Sequence, residues 1–193
     1  LNIQAAYATY RKGTTDVLAG SVKNLLEQGD AALKTVTEVV QFAKAQQQQG
    51  SDTSAYILPL ESVRLTAPIP DPQKLVAIGQ NYRDHCLECN APLPERPIIF
   101  TKFPTSIIGS GEAICWDPEL TQKVDYEAEL GVVIGKRARL VKAENAYDYV
   151  AGYMNVNDVS ARDLQFGDKQ WVRGKSLDTF APTGPYLVTR DDI

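Results

Sequence analysis

The sequence predicts an α+β chain: a helical N-terminal segment followed by a β-rich domain. Two observations carry that expectation, and a proline-rich stretch separates them. Apolar residues recur at helical spacing up to Gly50, whereas from Lys74 onward short apolar runs alternate with irregular polar segments. Between them Pro59, Pro68, Pro70 and Pro72 mark an extended connector, because proline fixes φ and withholds a ladder donor. The expected division is therefore 1–72 for the helical segment with its connector, and 73–193 for the second domain.

In the first segment Val17, Leu18, Val22, Leu25 and Leu26 share one helical face, and Ala32, Leu33, Val36, Val39, Val40 and Ala43 share another. Gly29-Asp30 separates the two helices, and Gln46 to Ser51 reads as a helix end running into a loop. Neither helix carries a chemical constellation, so a packing role is expected. In the second domain strands are expected at Leu75–Ile78, Ile98–Phe100, Gly131–Ile134 and Ala151–Val156. Val132-Val133-Ile134 reads as a buried strand. No internal repeat and no glycine-rich phosphate loop is present.

The chain has 193 residues, enough for a substantial core, with 44% hydrophobic and 23% charged residues. A net charge of −4 and a pI near 5.1 argue against nucleic acid as a partner. No apolar run reaches the length of a membrane span. Cys86, Cys89 and Cys115 form a sparse, odd set, which points to a reducing compartment, and Cys86-x-x-Cys89 reads as two incidental thiols. The sequence begins at Leu1 and displays no signal or transit peptide; the expected location is the cytoplasm or the mitochondrial matrix.

Asp125, Glu127 and Glu129 stand at alternate positions, which on one strand places three carboxylates on one face, roughly 7 Å apart. Such charges repel unless something positive intervenes, and a hard divalent cation held by oxygen is the usual remedy. The alternative is a solvated strand face. Asp158 strengthens the first reading, because Gly152–Val159 reads as a strand running out into a polar turn, with Ser160 as a candidate N-cap for the next helix. His85 and Glu88, at i and i+3 on a short helix, form either a general base with its orienting carboxylate or a plain surface pair. Lys102 and Lys175 offer electrophilic ammonium groups, and Arg162 and Gln165 share a helical face from which both could reach one ligand.

Taken together, six stretches resemble the fumarylacetoacetate hydrolase family. They are Ile78–His85, Phe100–Ser106, Asp125–Gly135, Asp148–Tyr153, Asn157–Asp163 and Gly174–Pro185, in the family's order. The resemblance covers 73–193 well and the helical part loosely, and is closest to the fumarylacetoacetate hydrolase domain-containing proteins. It implies a β-rich mixed roll, commonly a homodimer, that continues beyond Ile193 to a Gly-Thr-rich motif, so the chain reads as C-terminally incomplete. By position it implies Mg²⁺ (or Ca²⁺ or Mn²⁺) on Glu127, Glu129 and Asp158; His85 and Glu88 as the acid–base pair; Lys175 as the family's motif lysine; and Arg162 and Gln165 on the substrate side. Lys102 is expected there as well.

The chemistry then expected is a divalent-metal-dependent enzyme acting on a small 2-oxo acid or 1,3-dicarbonyl acid through a metal-bound enolate. C–C bond hydrolysis of the acylpyruvase type is the first expectation. An oxaloacetate keto–enol tautomerase or decarboxylase is the alternative, and an inactive truncated scaffold or dimer partner the non-enzymatic one.

Overall fold

The computed structural model describes residues 1–13, 15–167 and 169–193. Its helices are α1 (Ile3–Tyr10), α2 (Val22–Gln28), α3 (Asp30–Gln48), α4 (Arg83–Glu88), α5 (Arg162–Gly167) and α6 (Trp171–Lys175). Its strands are β1 (Leu75–Gly79), β2 (Ile98–Lys102), β3 (Ile107–Ile108), β4 (Val124–Asp125), β5 (Ala128–Ile134), β6 (Val150–Asn157), β7 (Ser160–Ala161), β8 (Ala181–Pro182) and β9 (Val188–Thr189). The α+β class expected from the sequence is present, with long helices confined to the first fifty residues. The chain divides into two compact units: Leu1–Leu65 with Val132–Tyr153 and Leu187–Ile193, and Thr66–Gly131 with Met154–Tyr186. These units are drawn by packing, whereas the sequence boundary at 72/73 is drawn by composition and resemblance.

The first unit is built on α1 against α3. Ala6, Val39, Ala43 and Tyr56 form its core, and Phe42 lies between the rings of Tyr10 and Tyr56. Asn2 caps α1 by accepting from the Ala5 N–H, and its own N–H donates to the Tyr56 carbonyl at 2.7 Å. Ser21 caps α2 through the Asn24 N–H, so that helix starts at Val22 rather than at Val17; the side-chain oxygen wins because it satisfies an otherwise orphaned donor. Gly29, at φ 75°, breaks α2 from α3 where the sequence placed the break. In the same unit β6 pairs with β9 antiparallel, Gly152 opposite Thr189.

The second unit carries most of the short strands. β1 and β2 form an antiparallel ribbon from Leu75↔Lys102 to Gly79↔Ile98. β3 runs parallel to β8, and β4 pairs with β7 antiparallel through Val124↔Ala161 and Asp125↔Ser160. Val159, Ala161, Leu164 and Phe180 form the core beneath that pair, with Ile114, Val124 and Leu177 packed on it.

Two strand expectations need correction. Val132-Val133-Ile134 is not buried throughout: Val133 is buried, but Val132 and Ile134 lie about half exposed, because alternate strand residues face opposite sides and only one side is covered. Asp125, Glu127 and Glu129 do not share one unbroken strand either, since β4 ends at Asp125 and β5 begins at Ala128. At the break the Glu127 carbonyl still accepts from the Asp158 N–H at 2.9 Å, while its N–H turns to the Asn157 side chain at 3.2 Å.

α6 is held close to β7 and α5 by Gly174. A Cβ there would lie 2.7 Å from both the Ala161 carbonyl oxygen and the Gln165 backbone nitrogen, neither of which can swing aside. Gly174→Ala is therefore expected to push α6 outward and to destabilise the protein by about 1–3 kcal/mol, the usual cost of overpacking. Denaturant unfolding of the variant checks this, and an unchanged midpoint would count against the close approach.

Candidate active site: an alternating chain of charges

Three short pieces of chain converge in the second unit. β2 ends in Lys102, the β6–β7 corner supplies Asp158, and α6 ends in Lys175. Lys102 is 1% and Lys175 2% exposed, and Asp158 is buried between them. The Lys102 ammonium donates to Asp158 Oδ1 at 2.7 Å, to the Val159 carbonyl at 3.1 Å and to the Lys175 carbonyl. All three of its N–H groups are thereby used. Lys175 Nζ donates to Asp158 Oδ2 at 2.8 Å and to Glu127 Oε2 at 2.7 Å, and stands 5.2 Å from the centroid of the Phe100 ring. One N–H of Lys175 is left over.

The chain of charge continues outward. Glu127 Oε1 meets Arg162 Nη1 at 2.7 Å, and Arg162 Nε and Nη2 both donate to Asp125 Oδ2, at 3.0 and 2.8 Å. Arg162 Nη1 also donates to the buried Gln165 Oε1 at 3.0 Å. Lys102, Asp158, Lys175, Glu127, Arg162 and Asp125 thus alternate in sign, three cations with three carboxylates.

Burial alone would raise the Asp158 carboxyl, but the two ammonium groups hold it below its ordinary value. Lys102 is pushed down to about 8 by burial, against the pull of Asp158. The guanidinium of Arg162 lowers the Asp125 carboxyl by hydrogen bonding.

Glu129 is the carboxylate left out. Among the described residues no hydrogen bond or ion pair reaches it. Burial first, then the negative charges of Glu127 and Asp158, raise its pKa, partly offset by Lys175 and His85.

The expected cation-binding set is therefore one electrostatic cluster, but it is not a closed cage. The Lys175 ammonium bridges Glu127 and Asp158, and among the described residues no three acidic, His or Cys side chains are arranged as a ready metal site. The donor set nonetheless fits a hard divalent cation. It is all oxygen, Glu129 has both oxygens free, and each paired oxygen keeps a further lone pair.

Several residues take other places than the sequence suggested. Lys102, expected on the substrate side, is buried with its three N–H groups used, and it ties Asp158 to the end of α6. His85 and Glu88 lie on α4 as expected, both exposed, but no hydrogen bond joins them. The His85 ring instead lies 3.8–3.9 Å from Cys89 Sγ, one helical turn on. Ser160 is not an N-cap but a β7 residue whose hydroxyl donates to the Asp158 carbonyl at 2.8 Å. Arg162 and Gln165 do share a face, bonded to each other.

Sequence reasoning missed Asn157, which fixes the Glu127 backbone, and Phe100, which lies beside the Lys175 ammonium. Asn157 sits next to Asp158 in the same polar turn and could have been flagged. Phe100 reads as one more apolar strand residue.

The family model for the fumarylacetoacetate (FAA) hydrolase C-terminal domain matches residues 74–193. Among curated relatives, the mitochondrial oxaloacetate tautomerase fahd2 of Xenopus laevis is 46% identical over 174 residues, 89% of this chain and 51% of the relative. Oxaloacetate tautomerase YisK of Bacillus subtilis is 42% identical over 181 residues, 92% of this chain and 59% of the relative. This chain thus spans a little over half the length of the two.

Of solved structures, a putative HpcE protein from Mycobacterium smegmatis matches with a TM-score of 0.71 at 32% identity, covering 97% of this chain and 61% of that one. A 5-carboxymethyl-2-hydroxymuconate delta-isomerase from the same organism matches with a TM-score of 0.62 at 42% identity, over 71% of this chain and 52% of that one. Motifs, family model and relatives agree, and the chain belongs to the fumarylacetoacetate hydrolase family.

Proposed function

We propose that the protein is a keto–enol tautomerase of a small 2-oxo acid of the oxaloacetate type. This places the alternative of the sequence reading ahead of C–C bond hydrolysis. The observation that carries it is the buried Asp158–Lys175–Glu127 bridge, together with a His85 ring that, among the described residues, makes no hydrogen bond to a carboxylate. Hydrolysis needs a water activated by an oriented base, whereas tautomerisation needs only a stabilised enolate oxygen and one moved proton. The names of the relatives point the same way.

In this reading the unused N–H of Lys175 faces the enolate oxygen, its orientation fixed by Glu127 and Asp158. Lys102 keeps Asp158 ionised and in place, and Arg162 does the same for Glu127. His85, exposed on α4 and close enough to act electrostatically on Glu129, carries the proton to and from carbon. Glu127, Glu129 and Asp158 would hold the divalent cation, which would supply further positive charge for the enolate oxygen when bound. Mg²⁺ is the proposed ion, with Ca²⁺ or Mn²⁺ in its place. A homodimer belongs to the same proposal. It is supported by the apolar outer residues Val76, Ile78 and Ile99 of the β1–β2 ribbon, which stand exposed.

Decay of oxaloacetate enol absorbance, with and without added Mg²⁺, tests the reaction directly. Lys175→Met is expected to lower kcat by roughly 10²–10³-fold, the range for losing one preorganised donor. Two acid products instead of interconverted tautomers would return the protein to the hydrolase reading.

Glu129 tests the cation. Its charge is repelled by Glu127 and Asp158 and disfavoured by burial, so Glu129→Gln is expected to raise the Tm of the metal-free protein. The same change is expected to abolish the Tm increase that Mg²⁺ gives the parent. A Mg²⁺-induced shift that survives in the variant would remove Glu129 from the ligand set.

A further inference from the structure

A cavity of about 490 Å³, in the range of small-molecule sites, backs onto the stretch of chain that carries Glu127. Tyr126 and Ala128, the residues on either side of Glu127, both line it, whereas the Glu127 carboxylate reaches Lys175 and Arg162. Asn157 lines it as well, and its Oδ1 accepts the Glu127 N–H at 3.2 Å. The cavity therefore meets the charge chain through one shared hydrogen bond, one residue before Asp158.

Its wall holds polar groups that the protein leaves unanswered. Thr183 lines it where it pairs with Val156 of β6, and it is 3% exposed. The Thr183 hydroxyl is buried without a hydrogen-bond partner, and no other buried side-chain oxygen or nitrogen of the described residues is left so. The Asn155 amide and the N–H groups of the Asn157 amide also lack a partner among the described residues. The Tyr126 ring, 77% exposed, offers a flat face to a ligand. None of the lining side chains is charged, so an anion entering would meet no cation, and burying an unpaired charge is costly. An uncharged amide, by contrast, can both donate to and accept from an asparagine side chain.

We propose that this cavity binds an uncharged planar molecule with an amide edge, paired to Asn155 and Asn157, bonded to the Thr183 hydroxyl and stacked on Tyr126. The proposed reaction does not use it. It is an effector site, and its link to turnover is the bond between Asn157 and the Glu127 backbone. A ligand held by the Asn157 amide restrains the side chain that fixes Glu127, and Glu127 in turn orients the Lys175 ammonium.

Nicotinamide and nicotinate test the site, because they share a shape and differ in charge. In calorimetric titration nicotinamide is expected to bind, and nicotinate to show no binding that depends on Thr183. Thr183→Val keeps the shape of the side chain and removes the hydroxyl. It is expected to raise the Tm of the free protein, since a buried unpaired hydroxyl is lost, while weakening nicotinamide tenfold or more. Opposite shifts of that kind cannot come from misfolding. Unchanged nicotinamide affinity in the variant, or equal Thr183-dependent affinity for nicotinate, overturns the site.

The effector role is read in turnover and so rests on the proposed function, whereas the calorimetry requires no chemistry and fails or succeeds by itself. Saturating nicotinamide is expected to raise kcat for oxaloacetate two- to threefold with KM unchanged, and to do so in the parent but not in Thr183→Val. An unchanged kcat overturns the link through Asn157. A raised KM would place nicotinamide in the reaction centre instead, and would overturn the separate site.

Discussion

Lys102 is the residue on which the site depends. Its ammonium is buried at the end of β2, where an unpaired charge would cost several kcal/mol. Three acceptors answer it: the Asp158 carboxylate, the Val159 carbonyl and the Lys175 carbonyl. Two come from adjacent residues of the β6–β7 corner and the third from the last residue of α6, so satisfying one cation ties the end of β2 to both places. The depressed pKa of Lys102 records the cost of burial, and the depressed pKa of Asp158 records the compensating attraction. Buried pairs of this sort are weak sources of net stability but severe to break, which ties the geometry of Lys175 to the integrity of its neighbours.

From that anchor the charges alternate outward to the half-exposed Asp125. Alternation holds Asp158 and Glu127 from two sides and lets Lys175 and Arg162 each share their charge between two carboxylates, so no inner group faces the low-dielectric interior alone. Glu129 falls outside the pattern, and its carboxyl is pushed up by burial and by its acidic neighbours. A site that leaves a single acid unsatisfied while saturating its neighbours has room for one more positive charge, which is the electrostatic case for a cation in the proposed function.

Local packing explains why such short elements hold so dense a cluster. Gly174 lets α6 lie against β7 and α5 at backbone distance, and Gly79 gives its missing Cβ to the ring of Trp171, at the other end of α6. Trp171 in turn meets Phe100 edge to face, and Phe100 lies beside the Lys175 ammonium. A five-residue helix has little stability of its own. It is held here by one aromatic contact at its start and one lysine bond at its end.

The sequence by itself determined the helical first segment, the break at Gly29, the four main strands of the second part, and which charged residues belong together. Those features rest on period, turn chemistry and motif order, which are local. Only the tertiary structure decided how the charges pair. Residues 125, 127 and 129 alternate in sequence, yet the break after β4 sends Asp125 to Arg162, Glu127 to both Arg162 and Lys175, and leaves Glu129 alone. Lys102 reads as a substrate-facing lysine until its three acceptors are seen, and those lie 56 to 73 positions away along the chain. His85 and Glu88 are three apart on one helix, but spacing fixes only proximity; the imidazole turned to Cys89 instead. Which side chains lie near one another on an element is a property of the sequence. Which of them bond is settled by partners from distant parts of the chain, because a buried charge takes whichever acceptor the fold delivers.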